Sequence, residues 1–420
     1  MSIGARGCLL NPPDRDSRLV LTPPANNHHA LVIGAGLAGA ATCAALARRG
    51  WRITLVDAAS GPAQAASSLP VGMLSPHVTR APTPMSRLSL LGVSDTRREL
   101  ERLIAPGHGW QPCEVDNLDH DAGRWPAALV RPAALVRAWL CETQSLTALE
   151  TRWSQRVTSL THGLGGWQAL DDQQRVVAQA PVVVLAAAHT SSALLLNSWP
   201  GMTQAHLPLR PVKGQMSLAA LETAPLAARP QRQVGVFVPA YQDTGLPPQW
   251  PERIWAMGST YARGEDNTAI NDEAHQDNAR SLAAMHPAAA DRLRADAAQG
   301  RLLGWAQVRC ASLDRLPLVG AVPDLEALQR WMAAAGAGRS KLALGDAPRQ
   351  AGLYLLTALG SRGLSLAHWC ANLLAQQIVE PEQTSTIEPD LIQALDPARF
   401  AWKLARRQPA LAATADRSRV

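Results

Sequence analysis

Three glycines and one acid carry the clearest chemistry in this sequence. Gly34, Gly36 and Gly39 stand in G-x-G-x-x-G spacing, and Asp57 lies eighteen positions beyond the third glycine. In such a set the first glycine permits a tight turn and the second lets backbone N–H groups approach a pyrophosphate. The third lets a helix pack closely on a strand, with its N-terminal dipole facing the phosphates. An acid at that distance accepts hydrogen bonds from a ribose hydroxyl. The pattern predicts dinucleotide binding. Asp57 disfavours NADP and, on this stretch alone, leaves FAD and NAD both open.

The elements around these residues agree. Residues 30–33 form a short apolar run of the kind a buried parallel strand shows, and residues 37–49 carry small and apolar side chains at helical period. Gly50 sits where that helix stops, and residues 53–56 make a second buried strand ending at Asp57. A Gly/Ser/Pro-rich loop follows over 61–78, long enough to be expected to line a ligand. Beyond it the pattern predicts a helix over 87–104, irregular chain over 106–125, and a helix from Pro132 to Cys141. Short strands are expected at 153–160 and 166–170, and the buried run 181–187 suits a return to the parallel sheet. Segments 212–218, 233–238 and 254–258 read as strands of an antiparallel second domain. Residues 271–285 read as a helix that Pro287 ends or redirects. A last strand at 352–357 meets Gly360-Ser361-Arg362-Gly363 and a helix through 367–378.

Composition narrows the class. The chain has 420 residues, 47% hydrophobic and 18% charged, enough for two domains with ample core. Lys213, Lys341 and Lys403 are its lysines, so nearly all of the 40 cations are arginines, and the formal charge of +6 is compatible with an anionic partner such as RNA. Cysteines at 8, 43, 113, 141, 310 and 370 form no C-x-x-C pair and no zinc spacing, so a metal site is not expected and reduced thiols are. The apolar stretch 182–196 is too short to span a membrane and includes His189. Pro, Asp and Arg interrupt the N-terminus, which therefore lacks a signal-peptide core. A cytoplasmic location is expected.

Four separated stretches, VIGAGLAGAATCAALARRGWRITLVD, AASSLPVGMLSP, RCASLDRLPLVG and GLYLLTALGSRGLSLA, resemble the D-amino-acid-oxidase-type FAD-dependent oxidoreductases over about residues 29–380. The GSRGL segment, with LDRLPLVG and with VKGQM at 212–216, is most similar to the C-terminal oxidoreductase domain of one subfamily. Those are the bifunctional enzymes that complete 5-methylaminomethyl-2-thiouridine at the tRNA wobble position. The resemblance implies an α/β architecture: a Rossmann-like FAD-binding domain with a mixed antiparallel-sheet substrate domain. The expected boundaries are a flexible segment 1–27, a discontinuous FAD-binding domain over 28–205 and 300–380, a substrate domain over 206–299 and a tail over 381–420. Part of 80–150 is expected on the substrate side. The 27 residues ahead of the fingerprint are too few for a methyltransferase domain, so the expectation is the oxidative step alone, with a separate methyltransferase downstream.

For that subfamily the implied substrate is an N-substituted glycine, 5-carboxymethylaminomethyl-2-thiouridine on tRNA. Its oxidation passes a hydride to flavin N5, and imine hydrolysis releases glyoxylate. The resemblance places Arg309 on the substrate carboxylate and Arg362 as a second cation over the flavin or a structural residue at a helix start. FAD would be held by Gly34, Gly36, Gly39 and Asp57, and by Ser67, Ser68, Gly72 and Met73 of the loop. Val157 would meet adenine through its backbone, and Gly360, Ser361, Gly363 and Leu364 would offer N–H groups to the flavin. His77, Lys213 and Gln215 are further candidates near the site, and Cys310 and Cys370 read as buried free thiols. Arg80, Arg87, Arg97, Arg98 and Arg102 form either a basic face for RNA or a solvated, salt-bridged helix surface. The competing expectations are a small-amine oxidase acting on glycine, sarcosine or a D-amino acid, and a non-enzymatic nucleotide-binding module.

Overall fold

The computed structural model describes residues 28–120, 122–163, 165–336, 341–381 and 387–407. The segment expected to be flexible, 1–27, lies outside the described residues, as do Cys8 and the tail beyond 407.

The glycine-rich stretch nucleates a six-stranded sheet. His29–Ile33 pairs in parallel with Arg52–Val56 on one side and with Val182–Leu185 on the other. Arg349–Thr357 and Leu149–Arg152 extend the sheet in parallel, and Leu318–Pro323 closes one edge antiparallel. Central strands buried on both faces read as unbroken apolar runs, which is why residues 30–33 and 182–185 carry almost no polar side chain. Helices Leu37–Ala47, Pro132–Leu146 and Gly363–Val379 pack into one core on one face. On the other face Leu31, Ile33, Val183 and Leu185 pack against Leu160, Trp167, Leu194 and Leu195. These belong to a three-stranded sheet (Ser159–Gly163, Gly166–Leu170, Val176–Ala180) and the helix Thr190–Ser198.

A nine-stranded sheet stands beside this layer. Its longest strand, Leu209–Ala220, pairs with Leu303–Ser312 along ten positions and with Arg253–Gly258 along five. The outer face is covered by helices Asp272–Met285 and Pro287–Ala298, packed through Leu282, Leu293, Phe237 and Trp255. Pro287 therefore redirects the helix and starts the next one, with the His286 side chain capping its N-terminus through Ala289 N–H at 3.1 Å.

Several expectations change in the structure. Residues 106–125, expected to be irregular, contribute the strand Trp110–Asn117, which pairs antiparallel with Gly123–Val130. Pro112 and Pro126 concealed this hairpin. Each lies where its strand has a partner on one side only, since the other neighbours begin at Asp116 and at Ala128, so neither proline costs a ladder bond there. Val157, expected in a strand, lies in extended chain between Leu149–Arg152 and Ser159–Gly163. That chain is tied over the sheet edge by Ser154 N–H to the Ala59 carbonyl and Gln155 N–H to the Asp57 carbonyl. Strand Leu303–Ser312 belongs to the nine-stranded sheet, so that sheet continues past residue 299. In the expected tail, helices Pro389–Leu395 and Arg399–Arg407 are packed, with Trp402 and Ala401 against Leu328 and Met332. Arg399 forks onto both carboxylate oxygens of Asp314 at 2.8 Å.

Candidate functional site

A cavity of about 590 Å³ runs from the glycine turn to the inner face of the nine-stranded sheet. Gly34 has φ +109°, and a Cβ there would meet the Ala186 carbonyl oxygen at 2.6 Å, so the position accepts no other residue without displacing backbone. Gly39 does not line the cavity. A Cβ on it would stand 1.7 Å from the Gly34 oxygen, which makes it the contact that lets the helix close onto the turn. Gly36, Asp57, Ser67, Gly72, Met73 and Val157 all line the cavity. The Asp57 carboxylate is set by two backbone donors, Ala35 N–H at 2.6 Å and Ala59 N–H at 2.7 Å. Ser67 accepts from Leu37 N–H at 3.0 Å, leaving its hydroxyl proton available. Ser68 faces elsewhere: its hydroxyl accepts the indole N–H of Trp305 at 3.1 Å and steadies that ring in the cavity wall.

Two helix N-termini converge on this space. The helix Leu37–Ala47 has no side-chain cap from Gly36 and no acid in its first turn, and Gly363–Val379 is likewise uncapped and free of acid there. Gly360, Ser361, Gly363 and Leu364 line the cavity beside the second. A Cβ on Gly72 would meet the Leu364 side chain at 2.7 Å, so the loop lies close against this helix. His189 in the same wall has a buried Nδ1 with no hydrogen-bond partner. Uncapped N–H groups, a positive dipole end on each helix, a pre-set carboxylate and an unsatisfied imidazole nitrogen fit an elongated dinucleotide with a pyrophosphate and a ring that becomes negative. The residues present therefore fit FAD.

Arg309 ends the cavity on the sheet side. It is 8% exposed and forms no ion pair among the described residues. Its guanidinium donates to the Ser259 hydroxyl and to the Thr260 carbonyl at 3.4 Å, and lies 5.6 Å from the Tyr261 ring centre. Gly214 on the neighbouring strand makes room, because a Cβ there would fall 1.6 Å from Arg309 Nη2. Burial pulls the arginine below its ordinary pKa, with the Tyr261 side chain acting in the opposite direction. A buried cation held by neutral partners is a site waiting for an anion, and the planar fork suits a carboxylate.

Arg362 is absent from this wall. It lines a second, adjoining chamber together with His77 and Arg232. Lys213 and Gln215 also point away: Lys213 Nζ donates to Asn267 at 2.7 Å beside Glu265, and Gln215 bonds the backbone of Asn271. Cys310 lines the cavity, but burial pushes its thiol up to about 11, and Cys370 is buried with its thiol pushed up as well. Of the expected basic face, Arg87, Arg97, Arg98 and Arg102 are paired with Glu388 and Asp390, Glu101, Asp95, and Glu99 and Glu142. Residues 188–190, Ser259, Tyr261 and Trp305 line the cavity and carried no signal in the sequence, while Gly214 lies in the VKGQM segment with no signal of its own. Each lies on a strand or turn remote in sequence from the fingerprint.

The chain matches the family model of the FAD dependent oxidoreductases (DAO) over residues 29–130 and 119–377. It is similar to the tRNA 5-methylaminomethyl-2-thiouridine biosynthesis bifunctional protein MnmC of Verminephrobacter eiseniae, 34% identical over 438 residues, covering 90% of this chain and 64% of that protein. The protein of the same name from Ralstonia nicotianae is 35% identical, with 90% and 61% covered. The chain thus spans under two thirds of the length of these curated relatives. Among solved structures it is similar in fold to glycine oxidase from Geobacillus kaustophilus, with a TM-score of 0.63, 17% identity, and coverage of 87% of this chain and 98% of that one. Iminodiacetate oxidase from Chelativorans sp. BNC1 aligns with a TM-score of 0.60 and 18% identity, covering 86% and 98%.

Proposed function

The chain belongs to the FAD-dependent oxidoreductase family, and on that premise we propose that it oxidises an N-substituted glycine carried by tRNA. The substrate of this reading is 5-carboxymethylaminomethyl-2-thiouridine at the wobble position, and the products are the 5-aminomethyl nucleoside and glyoxylate. The observation that carries it is Arg309, a buried cation that forms no ion pair among the described residues, at the end of a cavity that fits FAD. The relatives, similar over about nine tenths of this chain, are named for tRNA 5-methylaminomethyl-2-thiouridine biosynthesis.

Bound FAD supplies the two-electron acceptor: the methylene between nitrogen and carboxylate gives up a hydride, the nitrogen loses its proton, and water hydrolyses the resulting C=N bond to glyoxylate and the amine. The protein's own part is to bind, orient and exclude water. Gly34, Gly36, Asp57, Ser67, Gly72, Met73, Val157, Gly360, Ser361, Gly363 and Leu364 hold the cofactor, with Gly39 and Ser68 supporting that cradle from behind. Arg309 takes both carboxylate oxygens, which fixes the adjoining methylene. The short reach of that group then sets which carbon is presented. Ser259 and the Thr260 carbonyl hold the fork, and Gly214 leaves it room. Met73, Met216 and Trp305 wall the same space with apolar surface and keep bulk water from the reacting bond.

The test is turnover by the flavin-loaded protein on tRNA bearing the carboxymethylaminomethyl nucleoside, in parallel with free glycine, sarcosine and D-alanine. Digested nucleosides are read by mass spectrometry, with glyoxylate measured alongside. Conversion of the tRNA with little action on the free amines is expected. Turnover of a free amine with the tRNA untouched would make this a small-amine oxidase.

A further inference from the structure

The chamber that holds Arg362 has no part in the account above. It has a volume of about 340 Å³ and shares Met73, Val236 and Ser361 with the main cavity, so the two adjoin. Arg232, Arg362, His77 and His120 line it, and Asp119 is the one carboxylate among its described lining residues. Arg232 is locked in place by Nε to Asn117 Oδ1 at 2.9 Å and by Nη1 to Ser75 Oγ at 2.7 Å and the Pro76 carbonyl at 2.5 Å. These partners orient the guanidinium, and none of them carries a charge. Neither Arg232 nor Arg362 forms an ion pair among the described residues. Burial draws both below the ordinary arginine range; on Arg232 the Asp119 carboxylate acts in the opposite direction and Arg362 in the same one. Burial also lowers His77, with Arg362 and Arg232 reinforcing the effect. Among the described residues, two arginines that form no ion pair thus line one chamber together with the His77 imidazole and a single carboxylate, Asp119.

We propose that this chamber is an anion subsite that binds a phosphate group of a nucleotide-borne substrate while Arg309 holds the substrate's carboxylate. The inference rests on the tRNA reading, and it extends that reading from the reacting group to the polynucleotide that carries it. Once the carboxylate is assigned to Arg309, the remaining anions of such a substrate are its phosphodiesters. Arg232 Nη2, the Arg362 guanidinium and the His77 imidazole offer phosphate oxygens charge-assisted and neutral contacts from three directions. The arginines of the Pro84–Leu103 helix do not compete for this role, because Arg87, Arg97, Arg98 and Arg102 already have carboxylate partners. A free amino acid would leave the chamber unused, so the subsite also separates a nucleotide substrate from a small amine.

The experiment compares the 5-carboxymethylaminomethyl-2-thiouridine nucleoside, its 3′-monophosphate and an anticodon stem-loop containing it, using flavin-loaded enzyme. Inorganic phosphate serves as competitor, and its binding is read directly by isothermal calorimetry. The wild type is expected to favour the monophosphate over the nucleoside by about tenfold in kcat/KM, since one charge-assisted contact is worth that factor. In Arg232→Gln this ratio falls toward one, and Arg232→Lys restores part of it. Removing the single carboxylate, Asp119→Asn, tightens phosphate binding, which keeps the test informative if Arg232→Gln fails to fold. Equal use of nucleoside and monophosphate by the wild type overturns the subsite and leaves the tRNA reading intact. Phosphate binding that neither depends on Arg232 nor competes with the stem-loop also overturns it, as capture of free phosphate alone. Oxidation of glycine with none of the three nucleoside substrates touched defeats both proposals.

Discussion

Two clusters of charge in this protein behave in opposite ways. Behind the nucleotide turn, Arg48 reaches Glu99 and Glu142, Arg102 bonds the same two acids, and His368 lies between Asp95 and Glu99. The Trp139 indole adds a donor to Glu99 at 2.9 Å, so four helices are tied through a network in which every charge is answered. In the substrate region Arg309, Arg232 and Arg362 are buried or half-buried and form no ion pair among the described residues. Isolated buried charges are costly, and a fold keeps them only where something else supplies the counter-charge. The paired cluster is architecture, and the unpaired one is the ligand site of the proposed function. Its missing partner is the clearest clue to the ligand.

Substitutions in the two clusters should therefore separate activity from stability. Arg309→Met keeps the side-chain volume and removes the charge. It is expected to lower kcat/KM about a thousandfold, equivalent to about 4 kcal/mol of lost charge-assisted binding, with no fall in Tm. Arg48→Met should do the reverse, destabilising the protein by about 3 kcal/mol in urea unfolding while leaving kcat/KM near wild type under folding conditions. Gly214→Ala places a methyl where Arg309 Nη2 lies and should raise KM about tenfold, because the fork is displaced rather than removed. A wild-type KM in that variant would mean that the carboxylate does not bind at Arg309.

The smallest effect is on the pH dependence of stability. Burial alone would raise the Glu99 carboxyl, but Arg102, His368, Arg48 and Trp139 together hold it at about 2, against an ordinary value of 4.5. A depressed acid contributes stability that is fully present above its unfolded pKa. That contribution is lost as pH falls from about 4.5 toward 2. The Tm difference between wild type and Glu99→Gln should be constant above pH 5 and shrink through that window. A difference that persists to the lowest pH would show that the network is not ionic.

The paired and unpaired clusters also differ in how well the sequence shows them. The glycine turn and Asp57 are legible because 28 consecutive residues (30–57) carry strand, turn, helix and acid in one local pattern. Arg309 is legible only through its resemblance to the family pattern, and its supports are not. Gly214, Ser259 and Tyr261 meet it by strand pairing across a sheet whose register no local period reveals. The Trp110–Asn117 hairpin strand was obscured by prolines harmless at a one-sided position. The helix Arg399–Arg407 was obscured because its stripe of Phe400, Ala401, Trp402 and Ala405 looks like a frayed end until a partner helix covers it. Arg362, expected either as a second cation over the flavin or as a structural residue at a helix start, stands at the N-cap of the helix Gly363–Val379 and lines the side chamber.

The most direct test of the central claim is a cycle pairing Arg309→Met with removal of the substrate's carboxylate. Turnover of tRNA bearing the carboxymethylaminomethyl nucleoside is compared with that of the same tRNA bearing a methylaminomethyl group. If Arg309 holds the carboxylate, either change alone lowers kcat/KM about a thousandfold and the two together cost little more than one. Losses that multiply would place the carboxylate elsewhere and would contradict the reading of Arg309 as its clamp.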